Sequence, residues 1–178
     1  AGERFRQPDL AATLERIAEN GPREFYEGET ARLITAEMQD HGGLMTAQDL
    51  ADYQPTIREP VHGQYRGYDV YAMSPPSSGG AHIVQMLNIL EGYDIHAMGF
   101  NSARTIHVMS EAMKRAYADR AEYLGDTDFV DVPLAGITSK AYAEELRAQI
   151  DLDRATPSSE IAAGNPLREE ISKGFEYS

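Results

Sequence analysis

From Ser102 to Leu124 the sequence carries neither glycine nor proline, and Ile106, Met109, Met113, Ala116 and Tyr117 recur along it at helical spacing. A run of that kind commits the chain to one long amphipathic helix, about 30 Å from end to end, against which other elements must pack. Gly125-Asp126 ends it, and the stretch from Asp126 to Pro133 reads as a loop. Every other element is shorter and more heavily punctuated.

Pro8 suits a first helical position, and Leu10, Leu14, Ile17 and Ala18 form an apolar stripe that ends before Asn20-Gly21-Pro22. A second helix is expected from about Thr30 to His41, carrying Leu33, Ile34 and Met38 and stopped by Gly42-Gly43. Thr46 with Asp49 three residues on caps a short helix carrying Leu50 and Tyr53, which Pro55 closes. From Glu59 to Met73 the period changes to alternation, with Val61, Gly63 and Tyr65 on one strand, Tyr68, Val70 and Ala72 on the next, and Arg66-Gly67 as the turn. Ser74 to Gly80 then leads into a helix carrying Ile83, Met86, Leu87 and Leu90, stopped by Gly92. Ser139 caps a last helix carrying Tyr142, Leu146 and Ile150. The expected fold is α/β of the α+β kind, mostly helical with one β-hairpin. Residues 1–155 form its scaffold. Residues 156–178, rich in Ser, Glu, Gly and Pro, are expected to be a polar, mobile tail.

Composition closes several classes of function. Hydrophobic residues at 42% support a packed core, and a formal net charge of −13 would repel nucleic acid and anionic membranes alike. Without cysteine there is no disulfide, thiolate nucleophile or cysteine-ligated zinc. The histidines, at 41, 62, 82, 96 and 107, are far apart and never in a His-Glu-x-x-His spacing, so no metal site is expected and each reads as a surface or hydrogen-bonded core histidine. No cofactor is implied. The chain opens without a basic start and apolar run, and nowhere approaches the roughly 20 apolar residues of a membrane span.

Two clusters invite chemistry. Ser77-Ser78-Gly79-Gly80 reads as a serine-capped strand-to-helix connection, or as an anion-binding turn in which small residues expose backbone N–H groups at the helix's positive end. It lacks the Lys-Ser/Thr ending of a phosphate loop and the Gly-x-Gly-x-x-Gly fingerprint. Lys114-Arg115-Ala116-Tyr117-Ala118-Asp119-Arg120 reads as a structural ion network, with Arg115 pairing Asp119, and Arg120 pairing Glu122 or Asp126.

IAENGPREFY (17–26), GGLMTAQDLADY (42–53), YRGYDVYAMSPPSSGG (65–80), HIVQMLNIL (82–90), EAMKRAYADRAEYLGD (111–126) and ATPSSEI (155–161), in this order and spacing, resemble the γ-glutamyltransferase family. The resemblance runs to about Gly164 and places the chain in the C-terminal part of that family's large subunit. It implies an N-terminal nucleophile hydrolase fold, two facing sheets between helical layers, and a precursor that cleaves itself into two subunits. The small subunit's N-terminal threonine would attack the γ-glutamyl amide of glutathione or a related compound, its own α-amino group serving as base. The family's Thr-Thr-His-type stretch follows shortly after the ATPSSEI position, and no such stretch occurs here. No catalytic residue is therefore carried over, and the isolated chain is expected to be inactive. The resemblance further implies the small subunit as partner and a periplasmic or extracellular location; Ser77, Ser78, Gly79 and Gly80, a glycine-rich connection at a strand end where ligand sites often gather, are expected near the active-site cleft without necessarily touching it. A related acylase, a poly-γ-glutamate-cleaving enzyme and a non-catalytic binding module are the alternatives, and the isolated piece is expected to self-associate.

Overall fold

The computed structural model describes residues 2–167, which fall into two compact units dividing between Ile57 and Arg58. In the first unit, α1 (Pro8–Asn20), α2 (Arg23–Glu27), α3 (Glu29–Asp40) and α4 (Ala47–Ala51) follow one another through tight connections. Proline opens α1, as its fixed φ favours, and Thr46 caps α4 in a capping box with Asp49. A single carboxylate ties three of these helices. Glu24 accepts from the Arg16 guanidinium at 3.1 Å and from both the backbone N–H and the hydroxyl of Thr30. Burial raises the Glu24 pKa, but these hydrogen bonds outweigh it and hold the carboxyl below its usual range. The expected apolar stripe of α1 is uncovered, with Leu10 and Leu14 exposed.

The second unit is built on an antiparallel hairpin, β1 (Val61–Tyr65) and β2 (Tyr68–Ala72), in the register Val61↔Ala72 to Tyr65↔Tyr68. Arg66 and Gly67 both take positive φ, 50° and 84°, the mirror-image turn that matches strand twist. A non-glycine residue tolerates this because Arg66 donates its N–H to Glu91 and its guanidinium to the Tyr93 carbonyl. Helix α5 (Ser78–Glu91) lies against the hairpin, and Gly63 lets Val84 come close, since a Cβ there would strike the valine methyls.

Two further helices complete the core: α7 (Ala103–Tyr123), capped by Ser102, and α9 (Lys140–Ala148), capped by Ser139. Short helix α6 (Ile95–Met98) lies between α5 and α7, and α8 (Leu134–Ile137) between α7 and α9. Ile89, Ala112, Tyr142, Ala143, Leu146 and Ile150 form the central cluster. The long helix lies where the sequence predicts, but turned over. Ile106, Met109, Met113 and Tyr117 are between 45% and 58% exposed, while Ala116 of the expected stripe is buried, together with Val108, Ala112, Glu111, Arg115 and Asp119. On α5 likewise, Ile83 faces out, and Val84, Gln85, Asn88 and Ile89 face in. Periodicity finds the stripe; only a partner decides whether the stripe points at this chain's own core.

In the tail segment, Ser158–Glu160 forms a single 3₁₀ turn, Thr156 and Gly164 are hydrogen-bonded to α7, and Pro166 is fully buried. The remainder of the expected mobile tail, from 168, lies outside the described residues. Among the described residues no helix is long and apolar enough to cross a membrane.

Candidate functional site

The Ser77–Gly80 loop sits where β2 turns into α5. Ser77 is the N-cap, its hydroxyl accepting from the Gly79 N–H at 3.3 Å, and Ser78 is the first helical residue. Gly80 passes so near the Met73 carbonyl that any Cβ would collide with it, while its own N–H donates to that carbonyl at 3.1 Å. The loop thus serves as a capped connection, as one of its two readings expects. It also forms one wall of a groove with a volume of about 150 Å³, completed by His82, Ile83 and Met86 of α5 and by Tyr117 and Arg120 of α7.

Beneath the groove lies a relay of buried polar groups. Asp119 is fully buried and accepts from Gln85 Nε2, from the Tyr142 hydroxyl at 2.8 Å and from the Gly164 N–H at 2.9 Å. With its amide N–H committed to Asp119, Gln85 presents its Oε1 to His82 Nδ1 at 2.9 Å, so that nitrogen is the donor and carries the proton. His82 Nε2 is left buried without a partner. Burial pushes the Tyr142 hydroxyl up, and the adjacent Asp119 carboxylate pushes it further, so the tyrosine stays a donor.

A second network lies about two turns earlier on α7. Glu111, fully buried, accepts from Lys114 Nζ at 2.6 Å, from Arg115 Nη1 at 2.8 Å and from the Thr156 N–H at 3.1 Å. Burial alone would raise its pKa; the two cations and the backbone donor prevail and lower it to about 2. Arg115 therefore pairs with Glu111, one turn before it, and not with Asp119, one turn after it, as expected from sequence. The alternative partner was equally spaced, but Asp119 is already occupied by Gln85, Tyr142 and the Gly164 N–H. Arg120 does not pair with Asp126, which is bound by Arg58 at 3.3 Å.

Sequence reasoning missed His82, Gln85, Glu111 and Tyr142 as members of these networks. The signal was present in part, since Glu111, Arg115 and Asp119 recur every fourth residue on one face of α7. Among the described residues no three His, Cys, Asp or Glu side chains gather as a metal site would need. His41 and His62 sit on the surface beside Glu37 and Asp69, and His107 bonds the Asp151 carbonyl.

The helical layer and its hairpin superpose on solved structures of the N-terminal nucleophile hydrolase class, of whose fold they form a portion. Residues 1–174 match the Gamma-glutamyltranspeptidase family, and the chain belongs to it. It is 54% identical over 177 residues to the glutathione hydrolase proenzyme of Escherichia coli (strain K12), covering 99% of this chain and 30% of that protein. It is 49% identical over 154 residues to the acylase ACY 1 proenzyme of Pseudomonas sp. (strain SE83), covering 86% of this chain and 28% of the relative. The crystal structure of Helicobacter pylori γ-glutamyltranspeptidase superposes with a TM-score of 0.82 at 47% identity, covering 94% of this chain and 48% of that one. The chain thus spans under a third of the curated proenzymes it matches.

Proposed function

We propose that this chain is part of the large-subunit scaffold of a γ-glutamyl-transferring and -hydrolysing proenzyme, acting on glutathione and related γ-glutamyl amides. The observation that carries it is the match to the Gamma-glutamyltranspeptidase family over residues 1–174, supported by the α7 stripe, Ile106, Met109, Met113 and Tyr117, left half-exposed. A helix so oriented is stable in water only at a cost, which a second polypeptide covering the stripe would remove. On this reading the small subunit of the same precursor supplies that cover and the attacking threonine. The hydroxyl adds to the γ-glutamyl carbonyl, the amine leaves, and the acyl-enzyme passes to water or to an amino acid or peptide. The Ser77–Gly80 loop stands beside the cleft and holds the hairpin end in place, without a covalent role. The complete protein works in the periplasm or outside the cell, and this chain alone is inactive.

Expressing the complete reading frame tests the proposal. The expected result is spontaneous conversion to two chains and release of p-nitroaniline from γ-glutamyl-p-nitroanilide, with neither from residues 1–178 alone. A cleaved protein that ignores γ-glutamyl anilides but hydrolyses glutaryl-cephalosporin or poly-γ-glutamate would favour a related acylase or polymer-cleaving enzyme, the former in keeping with the 49% identity to an acylase. An uncleaved, catalytically silent protein would favour a binding module.

A further inference from the structure

The segment 156–164 runs alongside α7 in the same direction and is gripped twice, each time by both backbone polar atoms of one residue. Thr156 donates its N–H to Glu111 at 3.1 Å and accepts from Lys114 Nζ at 2.7 Å. Gly164 donates its N–H to Asp119 at 2.9 Å and accepts from the Tyr123 hydroxyl at 2.7 Å. Residues 111 and 119 are about 12 Å apart along a helix, whereas residues 156 to 164 could stretch to roughly 27 Å. The 3₁₀ turn at Ser158–Glu160 takes up the difference. Beyond the second grip, Pro166 lies against Gly136, where no side chain could fit without meeting the proline carbonyl.

We propose that α7 is a positioning rail for the precursor's self-cleavage, with Glu111, Lys114, Asp119 and Tyr123 as positioning residues that fix the path of the chain leading toward the scissile bond. The inference rests on the proposed function, from which the self-cleavage comes. Two fully buried carboxylates are a costly way to hold a stretch as poor in apolar side chains as Thr156–Gly164, and both address backbone atoms rather than side chains. Such a device fixes a path whatever residues follow it. Self-cleavage needs that fixation: the threonine hydroxyl adds to the preceding carbonyl carbon, and the C–N bond breaks as the proton passes to the freed amine. Water then hydrolyses the ester, giving a carboxylate on one chain and restoring the hydroxyl on the other. An approach of this kind depends on a near-attack geometry, which anchoring the approaching chain makes more frequent.

The test compares purified complete precursors carrying Tyr123→Phe, Lys114→Met, both together, and the exposed neighbour Glu122→Gln as control. First-order cleavage rate, amide exchange over 156–164, melting temperature and turnover per cleaved molecule are measured on each. Each single variant is expected to slow cleavage about tenfold, as the loss of one anchoring hydrogen bond would. The double variant should slow it about a hundredfold, with faster amide exchange at 156–164 and with turnover per cleaved molecule falling far less than cleavage. Cleavage at the wild-type rate, or losses in cleavage and turnover of equal size, would overturn the inference. A wild-type precursor that never cleaves would remove the proposed function and this inference together, a result visible before any variant is made.

Discussion

Glu111 is the residue on which acid stability of the second unit turns. Its carboxyl is held at about 2 against an ordinary value of 4.5, so its contribution is complete above the ordinary range and is lost as pH falls from about 4.5 through 2. Urea midpoints of the dilute chain should therefore decline steeply across that window. Glu111→Gln should lower stability at pH 7 by about 3 kcal/mol, because Arg115 keeps a buried charge without its counter-ion, and should flatten the pH profile. Tyr142→Phe takes one of three donors from Asp119 and should cost about 1 to 2 kcal/mol by thermal denaturation. Gly80→Ala should cost more than about 1 kcal/mol, since the Met73 carbonyl occupies the place of the new methyl.

At the scale of elements, the helix ends were the most legible part of the sequence. Thr46, Ser102 and Ser139 each accept from a backbone N–H three residues on, a bond made within the reach of one turn, so composition alone finds it. Ser102→Ala should accordingly cost about 1 kcal/mol, measured as a fall in urea midpoint. The hairpin was legible for the same reason, its register being fixed by Arg66-Gly67. Helices α2, α6 and α8 were not, because four or five residues are too few to display a period. Nor was the Asp119 network, whose donors lie 34 and 23 residues away at Gln85 and Tyr142. The direction of the α7 stripe was invisible, since a period does not say whether the stripe meets this chain's own core or a partner. Met113→Glu separates the two situations. In the isolated chain it should change stability by less than about 0.5 kcal/mol, and in the complete precursor it should cost more than about 2 kcal/mol.

For the whole molecule, half-exposed apolar side chains on α1, α5 and α7 predict association of the isolated chain. Its sedimentation coefficient should rise with concentration, and Met113→Glu should reduce that rise. Membership of the family was legible in six short stretches because each encodes a local shape, a cap, a turn or a close backbone approach, that the same fold demands of any sequence adopting it. The inverted burial of α7 reaches further, into how substitutions will be tolerated. In a saturation library of the free chain, the aliphatic positions 106, 109 and 113 should accept nearly anything, while the ionic positions 111, 115 and 119 accept almost nothing, reversing the customary ranking. In a library of the full-length gene the aliphatic positions should become intolerant too, leaving the helix with no permissive side.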